Sequence, residues 1–222
     1  MLFRTEYNYW TGDRIWMGGY GLLIIILGPI AIRLSYELMM MAILLLKNVI
    51  PKHMECITSK LQEMGAKVIN YDDSIRIMRT GKLRQTTVKT RPYPGFPTDM
   101  QPQMAVLLAI AKGTSILSES VWDNRFQYVG QLLRMGANIQ VDGKIAVIEG
   151  VDHLTGVKVK ATDLRAGAAM IIAGLVAQGQ TVVEKTQYVD RGYENIVEKL
   201  SALGADIRRV PADPSETVAN AG

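Results

Sequence analysis

Three segments of this 222-residue chain end alike, and that repetition limits the folds open to the chain more than any other feature. Each segment carries apolar residues at helical spacing and closes on a glycine followed by alanine, at Gly65, Gly136 and Gly204. A glycine in this place is typical of a helix end, because glycine takes the left-handed backbone conformation at little cost. The three glycines lie about 70 residues apart, and repetition at a fixed interval indicates a fold assembled from similar units.

The apolar residues of these segments recur at helical spacing, so each predicted helix has one face to bury. Counted back from each glycine, positions −8, −4 and −1 are Ile57, Leu61 and Met64; Tyr128, Leu132 and Met135; Ile196, Leu200 and Leu203. Each helix runs into a short β-like segment, which we predict at residues 67–70, 138–141 and 206–210.

A second set of predicted helices lies between the first three. Two aspartates, each preceded by threonine, open apolar segments that end on a glycine: Asp99 with Gly113, and Asp163 with Gly179. Short strands are predicted after these helices, at residues 115–117 and 181–184. A less regular third copy opens at Asp13. A β-hairpin closes each unit and is clearest at residues 137–149, where an Asp-Gly pair supplies the turn.

The predicted order within a unit is therefore βαβαββ, which indicates an α/β fold. A unit of about 70 residues is too small to bury its own helices, so we expect three quasi-repeats packed about a common axis. One domain is predicted over residues 13–210, with an irregular, degenerate first repeat in residues 13–50. Residues 1–12 match no unit, and the small, polar residues 211–222 are predicted to form a disordered tail.

A proline-rich loop separates two of the predicted elements. Prolines at positions 92, 94 and 97 keep residues 91–97 out of any helix, and apolar helix formers follow over residues 100–111. Thr98 or Asp99 is therefore the expected N-cap of that helix. The residues alone leave two interpretations open: a rigid loop that holds a carboxylate in a fixed place for chemistry, or an ordinary helix start.

Composition narrows the classes of function. A net charge of +4 without any block of lysine and arginine suits an anionic small ligand and argues against a nucleic-acid partner. The single cysteine, Cys56, excludes an intrachain disulfide and a multi-cysteine zinc site, and it favours a cytoplasmic location. The apolar run at residues 21–46 contains Pro29, Arg33 and Glu37, and its charge-free part is shorter than the roughly 20 residues of a membrane span.

Four segments carry a resemblance to a known family: KTRPYPGFPTDMQ from Lys89, VWDNRF from Val121, ATDLRA from Ala161 and DRGYE from Asp190. They resemble the C-terminal part of the UDP-N-acetylglucosamine 1-carboxyvinyltransferases, the enolpyruvyl transferases that open peptidoglycan synthesis. The resemblance implies a fold of two inside-out α/β barrel domains, each of three βαβαββ units, with the active site between them. This chain matches one of those two domains.

The resemblance also implies roles for particular residues. The position of Asp99 acts on the sugar 3-hydroxyl as base or orienting partner, and Arg165 and Arg191 face the enolpyruvate and its phosphate. Val121 lines the UDP-sugar site. The implied catalytic residues are Asp99, Arg165 and Arg191, and the implied substrate-binding residues are Thr98, Asp99, Val121, Arg125, Asp163 and Leu164. Asp123 stands where the family often has glutamate, which puts a role there in doubt.

The implied reaction transfers enolpyruvyl from phosphoenolpyruvate to the 3-hydroxyl of UDP-N-acetylglucosamine, without metal or organic cofactor. The family's catalytic acid is a cysteine of the other domain, and Cys56 does not correspond to it. The family's early Lys-Asn pair, which helps hold phosphoenolpyruvate, also lacks a counterpart. We therefore expect little turnover from the chain alone. Two alternatives stay open: a non-catalytic binding module that pairs with a separate N-terminal domain, and a membrane-tethered remnant anchored by residues 21–46.

Overall fold

Helices and short strands alternate along the chain. The structure is a computed structural model, and it describes residues 42–79, 81–203 and 205–211. The predictions for residues 1–12, for the copy that opens at Asp13 and for the tail after residue 211 lie outside the described residues. The apolar run at residues 21–46 reaches the described part only in its last five residues. Among the described residues, no helix is long and apolar enough to cross a membrane.

The elements of the described part are numbered here in chain order. The strands are β1 Ala42–Lys47, β2 Lys67–Asn70, β3 Ser74–Arg79, β4 Thr87–Lys89, β5 Thr114–Ser118, β6 Asn138–Asp142, β7 Ile145–Glu149, β8 Lys158–Lys160 and β9 Val182–Glu184. The α-helices are α1 Pro51–Glu63, α2 Gln101–Ala109, α3 Val129–Arg134, α4 Leu164–Val176, α5 Gln187–Asp190 and α6 Ile196–Ala202. Short 3-10 turns at Thr98–Met100 and Arg125–Tyr128 lead into α2 and α3.

The strands form sheets of three, four and two strands, so the described chain is a mixed α/β structure. The largest sheet has the order β4-β5-β7-β6, in which β4 and β5 are parallel and the other neighbours are antiparallel. Helix α2 connects β4 to β5, because parallel neighbours require a crossover. From β4 to β7 the elements follow the predicted order of strand, helix, strand, helix and hairpin.

The predicted helix ends are confirmed at the two described glycines of the first set. Gly65 and Gly136 have φ values of +100° and +87°. The alanine after each glycine donates its backbone N–H back into the helix, to Leu61 and Leu132 respectively. Both features are typical of a glycine-terminated helix. The third glycine of the set lies outside the described residues.

The helices supply about half of the buried apolar residues. All nine stripe residues predicted from the sequence are buried except Leu203, which is half-buried. Helix α2 is buried along its whole length and packs against α4, β5 and β7. A helix enclosed on every side has little freedom to shift, so the residues at its start hold a fixed position.

One predicted strand is wrong. Residues 205–211 form neither helix nor strand, although a β-like segment was expected at 206–210. The comparable segment β6 is a strand because β7 follows directly and pairs with it along all five residues. Within the described residues, no strand pairs with 206–210, and an extended segment without a partner is not stable as a sheet.

Candidate functional site

Asp99 lies between two arginines that come from distant parts of the chain. Arg125 Nη2 is 3.1 Å from Asp99 Oδ1, and Arg165 Nη2 is 2.5 Å from Asp99 Oδ2. Asp99 belongs to the turn before α2, Arg125 to the turn before α3, and Arg165 to the first turn of α4. The structure therefore brings three of the predicted site residues together.

The cluster is sheltered but open to a ligand. The side chains of Arg125 and Arg165 are 18% and 23% exposed, whereas that of Asp99 is 40% exposed. Arg125 Nη2 also donates to the Thr98 carbonyl at 3.3 Å, which fixes the guanidinium further. A guanidinium group held in this way offers a planar set of donors that suits a carboxylate or a phosphate ligand.

The interpretation of Asp99 as a helix cap is wrong, as is that of Thr98. No side chain accepts a capping hydrogen bond at the start of the turn or of α2. Both carboxylate oxygens of Asp99 face arginines instead. The Thr98 hydroxyl donates to Glu119 Oε2 at 2.8 Å. The expected helix over residues 100–111 is also shorter, because the chain passes through a 3-10 turn before α2 begins.

Asp163, in contrast, is the N-cap of α4, as predicted. Its Oδ1 accepts the backbone N–H groups of Arg165 at 2.7 Å and of Ala166 at 2.9 Å. An aspartate here satisfies donors that would otherwise lack partners in the first turn of the helix. The cap fixes the start of α4, and Arg165 is thereby aimed at Asp99.

The segment that carries Arg191 packs against the side chain of Leu164 at the start of α4. Arg191 follows α5 and has an exposed side chain that forms no ion pair with Asp99. Its neighbour Gly192 packs so closely on Leu164 that an added Cβ would lie 2.8 Å from Leu164 Cδ2. The structure thus brings Arg191 next to the start of α4 without joining it to the ion pairs.

Val121 lies on the turn that leads from β5 to Arg125. Its side chain is 42% exposed, and that of the adjacent Trp122 is 59% exposed. Asp123, two residues on, pairs with Lys144 at 2.6 Å. That lysine holds the pKa of Asp123 below its usual range.

Sequence reasoning missed several buried polar residues beneath the cluster. Glu119 is 2% exposed and accepts four hydrogen bonds from the residues around it. The hydroxyl of Tyr193 accepts from Gln103 Nε2 at 3.3 Å. Burial raises the pKa of Tyr193, and the nearby Arg165 opposes part of that rise.

Tyr128 was predicted only as part of an apolar stripe. It is 1% exposed, and burial raises its pKa well above the ordinary value although Arg125 is close. Its hydroxyl has no hydrogen-bond partner within the described residues. The pattern of apolar spacing found the buried position but carried no information on where the hydroxyl points.

Cys56 lies outside this cluster, half-buried in α1. Burial raises its pKa, which keeps the sulfur as a thiol rather than as the more reactive thiolate. That Cys56 does not correspond to the family's catalytic cysteine stays a prediction.

The chain is similar in sequence to a known protein family and to named relatives. Residues 38–200 match the family described as EPSP synthase (3-phosphoshikimate 1-carboxyvinyltransferase). A UDP-N-acetylglucosamine 1-carboxyvinyltransferase of Clostridium botulinum is 55% identical over 165 residues, which are 74% of this chain and 40% of that relative. A relative of the same name from Desulfofundulus thermocisternus is 51% identical over 168 residues, 76% of this chain and 69% of that protein.

A solved structure shows the same fold. The enolpyruvyl transferase NikO from Streptomyces tendae superposes with a TM-score of 0.73 at 28% identity, over 87% of this chain and 45% of NikO. This chain therefore spans less than half the length of NikO and of the Clostridium relative. On the match of residues 38–200 and the identity to these relatives, the chain belongs to the EPSP synthase family, in its branch of UDP-N-acetylglucosamine 1-carboxyvinyltransferases.

Proposed function

We propose that the cluster of Asp99, Arg125 and Arg165 forms one wall of an active site that transfers enolpyruvyl from phosphoenolpyruvate to the 3-hydroxyl of UDP-N-acetylglucosamine. The observation that carries this proposal is one half-exposed carboxylate between two sheltered guanidinium groups. The names of the relatives at 51–55% identity support the choice of substrates.

The proposed role of Asp99 is to receive the sugar 3-hydroxyl. Each carboxylate oxygen has two acceptor sites, so an oxygen already bonded to an arginine can still accept from a hydroxyl. A group in this position orients the attacking oxygen and can take its proton, and such general base catalysis contributes about 10²–10⁴-fold. The fixed start of α2 favours this role because the carboxylate needs no reorganisation when substrate binds.

The arginines are proposed to bind the anionic groups of phosphoenolpyruvate. A planar guanidinium fork suits both a carboxylate and a phosphate. Arg165 is already oriented by the Asp163 cap, whereas Arg191 is exposed and forms no ion pair within the described residues. We therefore propose that Arg165 is a cation in a fixed position and that the side chain of Arg191 adjusts its position to the substrate. Both would stabilise the negative charge that develops during the reaction.

The remaining residues of the set are proposed to shape the substrate pocket. Val121 offers an exposed apolar surface to the UDP-sugar. Thr98 and Leu164 hold the positions of Asp99 and of the segment after α5, and Arg125 fixes the Asp99 carboxylate. No step in this arrangement calls for a metal ion or an organic cofactor.

The wider architecture is also a proposal. We infer three βαβαββ quasi-repeats arranged as one inside-out α/β barrel domain over residues 13–210, with residues 1–12 and 211–222 outside it. In this proposal the first repeat is degenerate, and the third lacks the strand expected at residues 206–210. The chain spans about 40% of the Clostridium relative, so we propose that a further domain supplies the opposite wall of the cleft and the catalytic acid. A cytoplasmic location and a place in peptidoglycan synthesis follow from the same proposal.

Phosphate release tests the proposed function. The chain is assayed with phosphoenolpyruvate and UDP-N-acetylglucosamine, alone and after mixing with the part of the Clostridium relative that it does not cover. We expect little turnover alone and a clear gain on mixing, and the gain would be lost in Asp99→Asn and kept in the matched control Asp123→Asn. A chain that neither binds UDP-N-acetylglucosamine in calorimetry nor restores turnover contradicts the proposal.

A further inference from the structure

Glu119 is a buried carboxylate whose charge no ion pair balances within the described residues. Glu119 directly follows Ser118, the last residue of β5, and it is 2% exposed. Burying a carboxylate is costly unless hydrogen bonds replace its lost water. The burial of Glu119 at the edge of the proposed site therefore needs an explanation.

Four donors surround the Glu119 carboxylate. Oε1 accepts from the Thr90 hydroxyl at 2.7 Å and from the backbone N–H groups of Val121 at 2.8 Å and Trp122 at 3.0 Å. Oε2 accepts from the Thr98 hydroxyl at 2.8 Å. Hydrogen bonds to a charged acceptor are the strong ones, so this carboxylate is well compensated.

The donors belong to two separate loops. Thr90 and Thr98 stand at the two ends of the proline-rich loop, whose base is also closed by a hydrogen bond from Arg91 N–H to the Phe96 carbonyl at 2.8 Å. Val121 and Trp122 belong to the turn after β5. One carboxylate thus ties both ends of the proline-rich loop to the turn that carries Val121.

We propose that Glu119 is a positioning residue that sets the distance between Asp99 and Val121. Oε2 holds Thr98, the residue next to Asp99, and Oε1 holds the backbone of Val121. Neither contact reaches substrate, so Glu119 acts through the residues that do. The functional meaning of that spacing rests on the proposed function, in which Asp99 and Val121 touch different parts of the same UDP-sugar.

The ionised form suits this position better than any uncharged group. A carboxylate only accepts hydrogen bonds, and all four neighbours are donors. In Glu119→Gln the amide oxygen can keep the two fixed backbone donors, but its NH₂ group then meets a threonine hydroxyl that has to reverse its hydrogen bond. We therefore expect a folded variant in which the link between the two loops is loosened.

Amide hydrogen exchange on the ¹⁵N-labelled full chain tests the inference. We expect Glu119→Gln to speed exchange at Val121 and Trp122 by about tenfold, because their acceptor loses its charge and a hydrogen bond to a neutral group is weaker than one to a charged group. Exchange at the buried strand residues Leu117 and Ile148 should not change. The matched control is Glu149→Gln, which removes an exposed carboxylate from the same sheet.

A second pair of variants covers the case in which Glu119→Gln fails to fold. Thr90→Val removes one donor and keeps the shape of the side chain, and Thr90→Ser restores the hydroxyl. The inference predicts faster exchange at Val121 and Trp122 in the valine variant and recovery in the serine variant. Unchanged exchange at these two amides, or an equal increase at all amides, overturns it, since the second result is that of a merely stabilising residue.

Titration with UDP-N-acetylglucosamine separates this inference from the proposed function. If the unmodified chain binds the nucleotide sugar, Glu119→Gln should weaken binding at least threefold while Glu149→Gln does not. Equal affinity in all three proteins contradicts the positioning role. If the unmodified chain shows no binding, the proposed function loses its support, and the exchange data alone decide the role of Glu119.

Discussion

The starts of α2 and α4 look alike in sequence and differ in structure. Both carry Thr-Asp directly before an apolar helical segment, at 98–99 and at 162–163. Asp163 caps its helix, whereas Asp99 accepts from two arginines and caps nothing. The same dipeptide therefore caps a helix in one place and supplies a partner for two arginines in the other.

The local cause of this difference is the proline content around α2. Pro97 holds the chain extended just before the 3-10 turn, and Pro102 occupies the first turn of α2, where it has no N–H for a cap to satisfy. Helix α4 has no proline in its first turn, so Asp163 finds the N–H groups of Arg165 and Ala166. Because Pro102 has no N–H, the first turn of α2 has one donor fewer, and the carboxylate of Asp99 binds the arginines instead of capping the helix.

The two helix starts also depend on each other. The Asp163 cap fixes the backbone of Arg165, and the Arg165 side chain then binds Asp99. The capped helix thus orients the cation on one side of the uncapped carboxylate.

The largest effect on turnover is expected from removing the Asp99 carboxylate. In the mixed phosphate-release assay we expect Asp99→Ala to lower turnover by about 100-fold or more, since it removes the group proposed to act on the 3-hydroxyl. Thermal unfolding of the variant provides the control for folding. An Asp99→Ala protein that is folded and turns over within threefold of the unmodified chain would contradict the proposed role.

The next effect separates folding from chemistry. Asp163→Ala should lower the free energy of unfolding by about 1 kcal/mol, the usual cost of losing an N-cap. Asn is also a good cap, so Asp163→Asn should recover most of the loss. Urea denaturation of both variants measures this. An equal loss from the two substitutions would show that the charge of Asp163 matters and that capping does not explain its place.

The local features of the fold were predictable because neighbouring residues determine them. The helix ends at Gly65 and Gly136 and the β6–β7 hairpin are encoded within a few positions of the chain. The Asp163 cap is local in the same sense. The prediction of a strand at residues 206–210 failed because a strand needs a partner, and a partner is not a local property.

The site could not be derived in the same way. Asp99 and Arg165 are 66 positions apart, and Thr90 and Glu119 are 29 apart. No spacing rule connects such pairs, so family resemblance alone singled out Arg165 and Arg191 and favoured the chemical interpretation of Asp99. That resemblance marked residues expected to touch substrate, and it therefore passed over Glu119 and Tyr193, which lie close to them.

A smaller effect concerns the buried tyrosines beneath the Asp99 side of the comparison. Burial raises the pKa of Tyr128 and of Tyr193, so the folded protein holds these protons more tightly than the unfolded chain. Their contribution to stability is complete below about pH 10, the ordinary tyrosine pKa, and declines as pH rises above it. We expect the free energy of unfolding of Tyr193→Phe to decline less with rising pH than that of the unmodified chain. Denaturation curves recorded from about pH 9 to about pH 11 measure this difference. An identical decline in the variant would contradict the assignment.

The smallest expected effect is at Asp123, and it tests whether proximity in sequence to Arg125 is enough for a role in catalysis. Asp123 is largely exposed and pairs with Lys144. Asp123→Ala should therefore change turnover in the mixed assay by less than about twofold, as expected for a surface ion pair that contributes little. A loss approaching that of Asp99→Ala would mean that the turn carrying Val121 and Asp123 moves toward the substrate on binding. In that case the charge of Asp123, rather than the Thr-Asp start of α2 alone, would have to be included in the chemistry of the site.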